Sequence, residues 1–131
     1  MLERLLKVAE TMRVRIEVVD PGPGRLGSYS HRRRTIRLRP GMNRRQARSV
    51  LAHELAHAHR GDEPTGSGWM DLRAEREADR LAAEYLIEAD EVRIAEVAYG
   101  PNWPAIAYEL EVSDHLLAVW RAERRRKVTC G

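Results

Sequence analysis

The chain has 131 residues, with 23 Lys and Arg against 20 Asp and Glu for a formal charge of +3, a balance too mild to mark a nucleic-acid or membrane-surface protein by itself. This length supports one small domain with its own core, so residues 1–131 are expected to form a single domain. A lone cysteine, Cys130, excludes a disulfide framework and a thiolate zinc site; with no basic-then-apolar leader and no run of about 18 apolar residues, a reducing cytoplasmic setting is expected.

Residues 1–42 are expected to supply a helix and a sheet. Leu2, Leu5, Leu6, Ala9 and Met12 recur at helical spacing and predict an amphipathic helix. The period then changes: Val14, Ile16 and Val18 alternate with Arg13, Arg15 and Glu17, as in a strand with one buried face. Asp20-Pro21-Gly22-Pro23-Gly24 breaks regular structure. A second strand is expected over Arg25 to Ser30 and a third over Thr35 to Arg39, with Ile36 and Leu38 inward, before Pro40 and Gly41 end it. The expected class is α+β, with a three-stranded antiparallel sheet packed on the helix that follows.

That helix carries the chemistry, and residues 43–88 are expected to hold both helices of the site. Asn43 is placed to cap it, with Gln46 in capping-box spacing, and Gly61 to end it, giving a helix over Arg44 to Arg60. Inside it lies His53-Glu54-Leu55-Ala56-His57, an HExxH motif flanked by Val50, Leu51, Ala52 and Ala58. Positions four apart on a helix lie about 40° apart around its axis, so His53 and His57 share a face and can share one metal ion. Glu54 beside them is the carboxylate that would take a proton from the attacking water of a metallohydrolase. His59 points elsewhere on the helix.

Gly61 to Met70 reads as a loop, after which Asp71 can cap a helix through about Ile87 with Leu72, Ala78, Leu81, Ala82, Tyr85 and Leu86 apolar. Glu75 and Asp79 share a face of it, so one can bind a metal while the other accepts a hydrogen bond from a ligand imidazole. Glu63, six residues after His57, competes for the role of third ligand. Glu75 is favoured because a ligand on a packed helix, held by Leu72 and Ala78, loses less conformational entropy than one in a loop.

Residues 89–131 are expected to be helical, with segments at Glu91 to Val97, Asn102 to Leu110 and Ser113 to about Arg126. The last two resemble a helix-turn-helix, with Ala107 packed, Val112-Ser113 at the turn and Leu117 inward. Glu111 stands where such turns usually have glycine, and packing over the catalytic core is preferred to DNA reading. The clusters Arg32 to Arg34 and Arg124 to Lys127 could touch nucleic acid or an acidic partner, but a solvated turn and a helix C-terminus are the preferred reading.

HELAH at 53–57 followed by AEREADRLAAEYLI at 74–87 resembles the ImmA/IrrE metallopeptidase family, chiefly in Glu75, Ala78 and Asp79 leading into the Ala82 to Leu86 run. NWPAIAYELEVSDHLL is similar to a later element of the family. The chain departs from the pattern at Ile87-Glu88-Ala89, where a proline is usual, and the sensor domain of longer members is not visible. The resemblance implies a zincin-like fold of gluzincin type and a zinc protease of phages or mobile elements. Its implied substrate is a helix-turn-helix repressor, making the protein an anti-repressor.

Carried over by position, the resemblance implies that His53, His57 and Glu75 bind one Zn2+, with Mn2+ an alternative, that Glu54 is the general base, and that Asp79 orients a histidine. Tyr29, His31, Tyr85, Tyr99 and His115 remain open as donors to a developing oxyanion. Other readings are a DNA-binding or antitoxin-like interaction module that retains the fold, and a zinc-stabilised scaffold. An intact Glu54 argues against the scaffold, direct nucleic-acid contact is not favoured, and no membrane partner is expected.

Overall fold

The computed structural model describes residues 2–63 and 65–130, without the side chains of 129 and 130, so the expectations that touch residue 64 and Cys130 lie outside the described residues. Helix α1 (Leu2–Thr11) buries Leu5 and Ala9. Strands β1 (Arg15–Val18), β2 (Gly27–Ser30) and β3 (Thr35–Leu38) follow. They form a sheet of order β1-β3-β2 in which β2 pairs β3 antiparallel and β1 pairs β3 parallel.

The sheet is therefore mixed, which corrects the purely antiparallel expectation. The physical reason is burial. β3 carries Thr35, Ile36 and Leu38, which are 8%, 0% and 7% exposed, and this most apolar strand takes the centre. The Pro-Gly segment after β1 carries the chain past that place, and only β2 and β3 close a hairpin. β2 is shorter than expected, beginning at Gly27. β1 is an edge strand whose final Val18 is exposed, so the predicted inward face holds for Val14 and in part for Ile16 but not for Val18.

Helix α2 (Arg44–Arg60) starts and stops at the predicted residues. The Asn43 side chain accepts from the Gln46 N–H at 2.8 Å. At the other end Gly61 adopts φ 70°, where a side chain would be strained, and donates to Ala58 O. Leu51, Leu55, Ala52 and Ala56 are 0–1% exposed, and the helix packs on β2, β3, α1 and α3.

Helix α3 (Gly68–Leu86) begins earlier than predicted. Asp71 lies inside its first turn rather than at its cap, where it accepts from the Thr65 N–H and Oγ1, both at 2.9 Å, and so ties down the preceding loop. Leu72, expected inward, is exposed. The buried stripe is Ala78, Ala82, Ala83 and Leu86, and α3 packs on α2, whose Ala52 and Ala56 are buried as well.

Helices α4 (Ala89–Tyr99), α5 (Trp103–Glu109) and α6 (Asp114–Cys130) complete the chain. Ala107 and Leu117 are buried as predicted, Val112 at the turn is buried with them, and Glu111 occupies the left-handed turn position at φ 56° in place of a glycine. The α5–α6 turn docks on α2: Arg48 Nη1 donates to the carbonyls of Leu110 and Glu111 at 2.8 Å, and Arg45 Nε donates to Val112 O at 2.6 Å. Helix α6 lies along α3, so Leu116 and Leu117 belong to the common apolar core.

The basic end of α6 is partly engaged within the protein, with Arg126 on Glu123, Lys127 on Glu84 and Arg124 over the Trp120 ring. Exposed pairs of this kind contribute about 0–1 kcal/mol each. No helix among the described residues is long and apolar enough to cross a membrane.

Candidate active site

Helical spacing brings His53 and His57 to one face of α2, with ring centroids 4.7 Å apart and planes at 86°. Helix α3 delivers Glu75 opposite them. Its Oε2 lies 2.7 Å from His53 Nε2 and its Oε1 3.2 Å from His57 Nε2. One ligand atom from each of the three falls within 4.8 Å of the others, the only such cluster among the described residues. Glu63 lines the same cleft but is not part of the cluster.

The far side of each imidazole is held by a carboxylate. His53 Nδ1 donates to Asp79 Oδ1 at 2.8 Å, and His57 Nδ1 donates to Asp62 Oδ2 at 3.0 Å. Asp62 was not foreseen from the sequence. Its signal was local: Gly61 turns the chain so that the Asp62 N–H reaches back to His57 O at 3.0 Å, which aims the side chain at the same residue. Arg60 Nε also donates to Asp62 Oδ2, at 2.9 Å.

The titration of the cluster follows from these contacts. Burial works against the charged form of His53, but Asp79 and Glu75 outweigh it and raise its pKa to about 10. His57 is raised in the same way, against burial, by Glu75 and Asp62. Hydrogen bonds from both imidazoles hold the Glu75 carboxyl far below the usual carboxylate range. For Asp79, burial is the largest influence and opposes ionisation, yet the bonds from His53 and His115 bring the net shift below the ordinary value. Burial pushes Glu54, 8% exposed, upward despite the two imidazoles beside it.

The donor set fits a divalent metal. With each Nδ1–H committed to a carboxylate, the two Nε2 atoms, 3.1 Å apart, both face the Glu75 carboxylate, and once they give up their protons their lone pairs converge there. Such a concentration of lone pairs requires protons or a cation between them, and two imidazole nitrogens with one carboxylate oxygen are a set that suits zinc. The Glu75 side chain is 54% exposed, so the cluster opens to the cleft.

That cleft has a volume of about 740 Å³ and runs between β2, α2, α3 and the start of α6. Gly27 and Tyr29 line one wall; Ala74 and Glu75 line another. Gly27 sits so close to α2 that an added Cβ would lie 2.5 Å from Val50 Cγ1 and 3.2 Å from Glu54 Cγ. β2 is an edge strand, paired only to β3 among the described strands, and it passes directly over the Glu54 side chain.

Of the five sequence candidates for oxyanion donor, Tyr29 and His115 line the cleft, whereas His31, Tyr85 and Tyr99 do not. His31 stands behind Tyr29, its Nδ1 2.9 Å from the phenol oxygen, and Arg34 Nη1 donates to that oxygen at 3.4 Å. Tyr85 packs against the core, and Tyr99 donates to Glu109 at 3.4 Å. Both were placed by residue type alone, which carries no information on direction. His59 is exposed on the outer face of α2.

The family model described as Peptidase_M78, IrrE N-terminal-like domain, matches residues 9–118. No curated protein matches the chain.

Proposed function

Because this chain belongs to the IrrE N-terminal-like peptidase family, a family of metallopeptidases, we propose that it is a zinc-dependent endopeptidase whose substrate is a helix-turn-helix transcriptional repressor. The observation that carries the peptidase reading is the convergence of His53, His57 and Glu75 within 4.8 Å beside the buried Glu54. The repressor as substrate class, and with it an anti-repressor role in a phage or mobile element, is supported by the sequence resemblance described above.

In this reading His53, His57 and Glu75 hold the metal, with Asp79 and Asp62 fixing the two rings. Zinc, when bound, supplies positive charge that acidifies a water and polarises the scissile carbonyl. Glu54 takes the proton of the attacking water and passes it to the leaving amine; its burial raises its proton affinity toward what that relay needs. Tyr29 is within the cleft to donate to the developing oxyanion. An extended peptide adds to the free edge of β2, which reads main chain rather than one particular sequence.

Gly27 makes the edge-strand part testable. Gly27→Ala is expected to push β2 away from α2 and lower kcat/KM by at least about 10-fold, with a loss of about 1–3 kcal/mol in stability from overpacking. Since Val50 is the atom met first, Gly27→Ala combined with Val50→Ala should recover much of both. Peptide kinetics and thermal melts on the single and double variants check this, and full activity in Gly27→Ala would remove β2 from the substrate path.

The substrate is tested by incubating zinc-loaded protein with a helix-turn-helix repressor of a phage or mobile element, with a chelated sample and an unrelated protein as controls. Cleavage of the repressor alone, stopped by chelation, is the expected result. Cleavage of unstructured peptides with the repressor left intact would retain the peptidase and discard the repressor.

A further inference from the structure

Helix α6 reaches the site through one side chain that the mechanism above does not use. His115, on the first turn of α6, donates from Nε2 to Asp79 Oδ2 at 2.7 Å. The other oxygen of the same carboxylate accepts from His53 Nδ1 at 2.8 Å. A carboxylate held on one oxygen can swing about its last torsion, whereas one held on both by groups from separate helices has its plane defined.

The seat of His115 is itself built from α2. Arg48, whose side chain is 10% exposed, donates to the carbonyls of Leu110 and Glu111. Ser49 Oγ accepts from the Ser113 N–H at 2.9 Å, and Arg45 reaches both Val112 O and the Asp114 carboxylate. Leu116 and Leu117, 3% and 1% exposed, anchor the turn of α6 that carries His115. The connections form a closed ring: α2 holds the turn, the turn aims His115, His115 holds Asp79, and Asp79 holds His53 of α2.

We propose that His115 is a positioning residue that acts through Asp79 on the orientation of His53, and that the α5–α6 turn is thereby a structural component of the metal site. The proposal rests on the reading of His53 as a metal ligand. With Nε2 engaged by Asp79, His115 does not present that proton to a substrate oxygen. Its side chain is 68% exposed, so water competes for the bond and its effect is smaller than that of Asp79 itself.

The test is zinc affinity, measured by competition with a chromophoric chelator, for His115→Ala, His115→Gln, Asp79→Ala, the pair His115→Ala with Asp79→Ala, and His53→Ala. His115→Ala is expected to weaken zinc binding about 3- to 10-fold, below the roughly 10- to 100-fold usual for a group bonded directly to a ligand. The Gln amide reaches the same oxygen and should restore affinity to within about 2-fold. In the Asp79→Ala background the His115→Ala effect should vanish, because its only route to the metal has gone. On peptide substrate, kcat should fall with KM unchanged.

An undiminished His115→Ala effect in the Asp79→Ala background, unchanged zinc affinity in His115→Ala, or a rise in KM alone would each overturn the proposal. Zinc affinity in His53→Ala equal to that of the parent would overturn the ligand reading beneath it, a separately visible failure. Melting of the metal-free variants guards against loss of fold, for which a largely exposed side chain gives little reason.

Discussion

Glu54→Gln is expected to reduce peptide hydrolysis by at least about 10²- to 10⁴-fold while leaving zinc content unchanged. The amide has nearly the shape of the carboxylate but cannot accept the proton of the attacking water. Its surroundings make the comparison clean. Glu54 is 8% exposed under Gly27, and burial already disfavours its charged form, so a neutral isostere should fit without loss of stability. The measurement is kcat/KM on a peptide substrate alongside metal analysis and a thermal melt. Hydrolysis near the parental rate with the fold intact would show that another group takes the proton.

The second large effect concerns the third ligand. Glu75→Ala is expected to weaken zinc binding more than any other carboxylate substitution in the cleft, because Glu75 alone among them places its oxygens at both Nε2 atoms. Asp79→Ala and Asp62→Ala, which each release one imidazole Nδ1, should cost about 10- to 100-fold in affinity. Glu63→Ala should leave it unchanged. Leu72, expected to help hold Glu75, is exposed, whereas Ala78 and Ala82 are fully buried on α3, which packs on α2. Chelator competition on the four variants decides the order. Tight zinc in Glu75→Ala together with its loss in Glu63→Ala would reverse the assignment.

Both predictions depend on residues that spacing alone brought under suspicion, and the reason is physical. A helix is determined by contacts a few residues apart. Asn43 and Gly61 therefore mark the limits of α2, and the spacing of His53 and His57 guarantees a shared face whatever surrounds them. The same applies to Glu75 and Asp79 on α3, and to Ala107, Val112 and Leu117 around the α5–α6 turn. Asp62 belongs in this class as well. Its approach to His57 follows from the left-handed Gly61, a signal local to the sequence.

What periodicity could not convey is which distant segments meet. β3 lies between β1 and β2 because the strand richest in buried residues gains most from neighbours on both edges, and that competition spans the whole chain. Asp71 left the predicted cap because the nearby loop offered it two donors at Thr65, moving the start of α3 to Gly68. Tyr29 and His115 enter the cleft while His31, Tyr85 and Tyr99 stay out of it, since a side chain's direction depends on the packing of its element and not on its chemical type. The sequence by itself determined the helix that carries His53 and His57, its caps and the face its histidines share, all short-range properties of one backbone segment. Only the tertiary structure decided that β2 is the edge over Glu54 and that α6 returns to hold Asp79, because both depend on burying apolar surface from residues far apart in the chain.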